Sequence, residues 1–152
     1  MSQPSHPLHG SCLCRRVQFT LRKSMSDASP PLSPPYDVAA CHCTLCRRSS
    51  GAPFLAYLCN VPRELFVTNK GADDCLKTYA SSEKGRRSFC SECGTQIGFW
   101  LEGSDTMAIT VGSLDDPSAF PPRDEIWCES RIPWVAKDFS SGTLRTVVDG
   151  DR

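Results

Sequence analysis

The sequence predicts a mainly β domain, and three observations predict it. Short runs of alternating polarity recur along the chain. Clusters of Gly, Asp, Asn and Pro separate them. No stretch sustains 3.6-residue periodicity over ten or more residues. A length of 152 residues suits one domain with its own core.

The elements follow in order. Residues 1–8 are polar and contain Pro and His, so they read as a flexible N-terminus; the domain proper is expected over 9–134. Val17, Phe19 and Leu21 alternate with Gln18 and Thr20, the pattern of a half-buried strand. Residues 24–35 hold four prolines and four serines, which cannot sustain helix or ladder hydrogen bonds. They read as an inserted surface loop. Residues 36–40 re-enter as a short strand, and 41–51 read as a knuckle with one helical turn. Strands are expected at 54–59, 64–68 and 76–79, the second ended by Asn69-Lys70-Gly71. A polar turn at 81–87 leads to a second knuckle at 88–94. Further strands are expected at 97–101, 107–111 and 125–128, and 135–152 as a peripheral C-terminal tail.

Lys+Arg and Asp+Glu both number 17, so the net charge is zero. A general nucleic-acid binder carries a basic excess or stripe, so no nucleic-acid partner is expected. No run reaches the roughly 18–20 apolar residues of a membrane span, and residues 1–10 lack the apolar core of a signal peptide. The expectation is a cytoplasmic protein without a membrane partner. A homo-oligomer is compatible with the sequence.

Ten cysteines are the exceptional feature, and in a reducing compartment they do not persist as disulfides. Seven fall in three clusters: Cys12 and Cys14; Cys41, Cys43 and Cys46; Cys90 and Cys93. In C-x-x-C a tight turn brings two thiolates onto one zinc ion. In C-x-C the same happens on an extended backbone, where residues i and i+2 share a face. A structural zinc is closed by four ligands, whereas a catalytic one has three protein ligands and an open position. Seven thiols divide as four plus three: the flanking pairs make a closed site, the middle triplet an open one. Spacing alone also admits Cys12, Cys14, Cys41 and Cys43 as a set. Metal-free core thiols, a redox pair and an iron–sulfur site are the competing readings.

The chain resembles the glutathione-dependent formaldehyde-activating enzyme family, also called the centromere-protein-V-like family. The resemblance is carried by residues 9–14 (HGSCLC), 41–54 (CHCTLCRRSSGAPF), 87–94 (RSFCSECG), 112–117 (GSLDDP) and 131–134 (RIPW), in that order. It implies an Mss4-like β-tent of small antiparallel sheets organised around zinc, two zinc ions per chain. It implies that Cys12, Cys14, Cys90 and Cys93 hold the structural zinc and Cys41, Cys43 and Cys46 the catalytic one. Two departures stand near the first strand: Arg15, where the family usually has Gly, and the 24–35 insertion.

Three thiolates on Zn²⁺ leave the site anionic and suited to a sulfur ligand in the open position. A coordinated thiol loses its proton. The expectation is a carbon–sulfur lyase that forms or cleaves a glutathione-like thiol adduct at an electrophilic carbon such as an aldehyde. The alternatives are a zinc-stabilised binding or scaffold module, and a relative acting on a specialised metabolite by elimination or dehydration. Arg47 and Arg48 follow the triplet directly, and Arg47 is a candidate to offset its charge or hold a carboxylate. His42, between two ligands, is the candidate proton relay. Cys59, Cys75 and Cys128 read as core thiols, with the option that one closes the open position. Asp115-Asp116-Pro117 reads as a turn.

Overall fold

The computed structural model describes residues 7–22, 36–135 and, as backbone, 145–147. The expected loop at 24–35 and the first six residues lie outside the described residues. Ten strands and a seven-residue helix arise between residues 8 and 126: β1 (Leu8–Ser11), β2 (Gln18–Leu21), β3 (Val38–Cys41), α1 (Thr44–Ser50), β4 (Leu55–Pro62), β5 (Phe66–Thr68), β6 (Leu76–Ala80), β7 (Gly85–Cys90), β8 (Gln96–Leu101), β9 (Thr106–Thr110) and β10 (Asp124–Ile126). An eleventh strand, β11 (Arg145–Val147), follows. Among the described residues five single-turn 3₁₀ segments fill connections.

The strands form two sheets. One has three strands in the order β1-β2-β5 and the other eight, β11-β10-β3-β4-β9-β8-β7-β6. The mainly β expectation holds. The larger sheet is antiparallel from β3 to β6 and becomes parallel at its other end, where β10 runs alongside β3 and β11 alongside β10. Leu8, expected in a loose terminus, is buried and opens β1, because the ladder with β2 pairs it with Leu21. Residues 145–147, expected in a peripheral tail, extend the large sheet.

The main core lies between the sheets. Val17, Phe19 and Leu21, predicted to share a face, pack there with Val38, Leu58, Ile97 and Ile109 of the large sheet. Phe19 meets Phe66 with ring centroids 5.2 Å apart. Each such side chain removed from water stabilises the fold by about 1.5–3 kcal/mol.

The opposite face of the large sheet carries a second, smaller cluster. Strand alternation sends Leu55, Tyr57 and Cys59 of β4 to that face and Ala56 and Leu58 to the main core. Strict alternation would then send Val61 outward as well. A bulge prevents this: Leu58 pairs with Ile109 but Val61 with Met107, so three steps on β4 face two on β9. Asn60, with φ +53°, supplies the extra residue, and Val61 returns to the main core fully buried. The bulge keeps Tyr57 and Cys59 outward without losing Val61 from the interior.

Candidate functional site

The four flanking cysteines converge. Cys12 and Cys14 sit in the turn between β1 and β2, Cys90 ends β7, and Cys93 lies in the turn before β8. All four Sγ atoms lie within 4.8 Å of one another. The turn at Cys12 is closed by Arg15 N–H to Cys12 O (3.0 Å) and puts Arg15 at φ +62°, which explains why glycine suits that position. Gly94, at φ +77°, does the same service after the second knuckle, its N–H bonding Cys90 O at 2.8 Å. Cys12 Sγ and Cys14 Sγ are 3.5 Å apart, and Cys14 Sγ and Cys90 Sγ 3.7 Å. These are far beyond disulfide length. They match the edge of about 3.8 Å of a tetrahedron with metal–sulfur bonds near 2.3 Å. Val17 N–H donates to Cys12 Sγ at 3.3 Å, a donor suited to a thiolate. The group joins the small sheet to the large one.

The triplet forms on the other face. Cys41 ends β3, Cys43 caps α1 and Cys46 lies in its first turn. Cys43 Sγ accepts Cys46 N–H at 3.3 Å, the bond a serine cap would make. Gly51, at φ +70°, stops the helix. The three Sγ atoms lie within 4.8 Å of one another, and among the described residues no fourth Cys, His, Asp or Glu joins them. Hydrogen bonds from Cys41 and Cys46 hold the Cys43 thiol down at about 2, and the bonds to Cys43 and Cys46, with burial, push Cys41 up. Three soft donors around one point fit a thiophilic metal ion.

Arg87 reaches this group from β7. Its Nη2 donates to Cys46 Sγ (3.5 Å) and its Nη1 to Tyr57 Oη (2.8 Å), with the guanidinium 4.9 Å from the Phe99 ring centroid. Gln96 Nε2 also donates to Tyr57 Oη (2.9 Å). Two donors fill the phenol's acceptor positions, so its own O–H points to Cys46 Sγ, 3.8 Å away. Sequence reasoning missed Arg87, Tyr57 and Gln96. Their common property is cross-sheet register, with Arg87 opposite Phe99 and Phe99 opposite Ala108. The sequence reads 81–87 as a polar turn, whereas Gly85–Cys90 forms β7, and that strand is what carries Arg87, three residues before Cys90, to the site.

A cavity of about 330 Å³ opens beside the triplet, walled by Leu45, Tyr57, Phe99, Ala108, Ile126 and Trp127. Parallel pairing of β10 with β3 sets Ile126 opposite Cys41 and so brings Trp127 to this wall. Cys59 also lines it, but stands outside the thiol group; burial, then the charge of Asp37, pushes its thiol up to about 12.

Two expected site residues are placed elsewhere. Arg47 does not line the cavity: Nε donates to His42 O (3.2 Å) and Nη2 to Thr44 Oγ1 (3.5 Å), because one helical step past Cys46 rotates it off the triplet's face. His42 is fully buried, its Nε2 2.9 Å from Glu125 Oε1, and Glu125 also pairs with Arg131. Strand alternation turns His42 away from its two cysteine neighbours, so it ties the segment to β10 and does not line the cavity. Cys75 is a core thiol, and Cys128 lies apart from both groups. Asp116 forms the expected turn, accepting Ser118 N–H at 3.2 Å.

The fold and the two thiol groups define a β domain built around two cysteine centres able to hold metal ions. Residues 7–130 match the sequence model of the glutathione-dependent formaldehyde-activating enzyme family, and the chain belongs to that family of enzymes. An uncharacterized lyase of Schizosaccharomyces pombe is 31% identical over 90 residues, 59% of this chain but only 55% of that protein's length. A provisionally named glutathione-dependent formaldehyde-activating enzyme of Halomonas elongata is 27% identical over 136 residues, covering 84% of this chain and 79% of that one. The crystal structure of a Rhodobacter sphaeroides protein shares the fold, with a TM-score of 0.50 and 21% identity over 70% of this chain and 87% of that one. Among the described residues no helix is long and apolar enough to cross a membrane.

Proposed function

We propose that the protein is a carbon–sulfur lyase that makes and breaks the adduct of a glutathione-like thiol with a carbonyl carbon at the Cys41–Cys43–Cys46 triplet. The observation that carries this reading is a three-thiol group, without a fourth protein ligand among the described residues, beside a cavity. The four-thiol group holds a structural zinc and the triplet a second zinc; both donor sets are all sulfur. A zinc ion bound there supplies a soft position for a sulfur ligand and lowers that thiol's proton affinity.

The chain's own residues do the rest. Arg87 offsets the anionic charge of the triplet, so that a second anion can approach. Tyr57, fixed by Arg87 and Gln96, donates to Cys46 and holds the ligand in place. The apolar walls exclude water from the electrophilic carbon. The reading as a non-catalytic module predicts a closed triplet, and none of the three spare thiols, Cys59, Cys75 and Cys128, joins it. A reducing, cytoplasmic setting suits ten unpaired cysteines.

The test is the rate of adduct formation from glutathione and an aldehyde, followed by NMR for wild type and Cys43→Ser. The reading expects the catalysed rate to vanish in the variant; equal rates would remove the triplet from the chemistry.

A further inference from the structure

The cavity beside the triplet is too large and too apolar for the smallest carbonyl compound. At about 330 Å³ it has room for roughly ten water-sized groups. Formaldehyde, with two heavy atoms, would fill a small corner and draw no binding energy from the walls. Those walls are Leu45, Phe99, Ala108, Ile126 and the rings of Tyr57 and Trp127. The one ionised side chain among the lining residues outside the thiols is Arg87. It is 5% exposed, and its Nε–H has no hydrogen-bond partner among the described residues. Nε itself is sealed inside the protein, so what the cavity wall offers is the guanidinium's positive charge, which favours an electronegative oxygen on that side of the occupant. Trp127 adds a second sign. It holds φ +58°, a conformation that bulky residues avoid, so the fold bears a conformational cost to place an indole here.

The thiol half does not fit this lining. A glutathione-like tripeptide carries two carboxylates and an ammonium, which an apolar cavity with one cation would leave uncompensated. Its polar body belongs at the rim, where Thr44 and Ser82 are exposed. The interior is left for the electrophile.

We propose that the electrophile is an aldehyde with an apolar body, aromatic or branched, of roughly six to ten heavy atoms, seated against Phe99 and Trp127 with its oxygen toward Arg87. This rests on the reading of the triplet as the thiol site. The step balances without a co-reactant: the thiol S–H and the carbonyl π bond are lost, and a C–S bond and an O–H bond form.

The test uses zinc-loaded protein with glutathione and either formaldehyde or phenylacetaldehyde. The inference expects kcat/KM for phenylacetaldehyde to exceed that for formaldehyde by at least about tenfold, and Ala108→Leu, which fills the cavity, to erase the preference. A preference for formaldehyde overturns the inference and leaves the triplet chemistry standing. Binding is read separately on the wild type with 2-phenylethanol, which cannot react, through tryptophan fluorescence. Saturable binding without turnover of either aldehyde supports the apolar site and sinks the lyase reading. Absence of saturable binding overturns the apolar site whatever the thiol reaction does.

Discussion

Arg87 Nη2 lies 3.5 Å from Cys46 Sγ, although 41 residues separate them and one belongs to strand β7, the other to helix α1. The contact gives a buried three-thiol group a permanent cation. Without it, three thiolates and an incoming fourth would crowd negative charge into a site shielded from water.

Replacing Arg87 with Met should therefore weaken thiol binding most. Hydrogen bonds to charged groups are worth about 1.5–3 kcal/mol, which is roughly 10–100-fold in KM for the thiol. Zinc content should stay at the wild-type level. Arg87→Lys should recover only part of the loss, since an ammonium cannot serve Cys46 and Tyr57 in one plane. Steady-state kinetics on the three proteins, with metal analysis, checks this; an unchanged KM in Arg87→Met contradicts it.

Glu125 should prove a stability residue. It is 1% exposed and pairs with His42 on one side and Arg131 on the other, tying β10 to the segment before α1. Glu125→Gln leaves Arg131 facing a neutral amide in a buried setting, at a cost of about 3 kcal/mol or more. The melting temperature should fall by about 6–12 °C in a protein of this size. Thermal unfolding by circular dichroism measures it.

Arg15→Gly should act in the opposite sense. Arg15 sits at φ +62°, where a side chain costs about 1 kcal/mol relative to glycine. Its turn bond, Arg15 N–H to Cys12 O, involves backbone alone and survives the change. The expected gain is about 2–4 °C in the same melting experiment.

Local chemistry was legible in the sequence, and register was not. The alternation of Val17, Phe19 and Leu21 and the three cysteine clusters are local patterns, and each became a strand or a turn where expected. Nothing local announces β1: its residues, Leu8–Ser11, hold one large apolar side chain, and the strand exists because Leu8 meets Leu21 across the ladder. The cavity was invisible for the same reason. Tyr57, Arg87, Phe99 and Trp127 meet through the β4–β9 pairing, the β7–β8–β9 register and the parallel placement of β10. Arg47 is adjacent to Cys46 in sequence, but adjacent residues on a helix point about 100° apart; the strand residue Arg87 is the one that reaches Cys46 Sγ.

Metal removal should separate the two thiol groups. The four-thiol group spans the two sheets, and binding energies of about 10–16 kcal/mol for such zinc sites rival a whole domain's stability. Cys90→Ser, or a strong chelator, should abolish cooperative unfolding near the wild-type temperature. Cys43→Ser should leave the melting transition largely in place, because the triplet binds on one outer face and joins no second sheet. Collapse of Cys43→Ser alongside Cys90→Ser would contradict this division of labour.

Native mass spectrometry of the zinc-loaded protein, with and without a thiol ligand, addresses the two-centre arrangement most directly. The arrangement requires two zinc ions per chain, one thiol adduct retained on the wild-type holoprotein, and a Cys43→Ser protein with one zinc and no adduct. A wild-type chain that carries a single zinc, or an adduct that persists when Cys43 is gone, would contradict it.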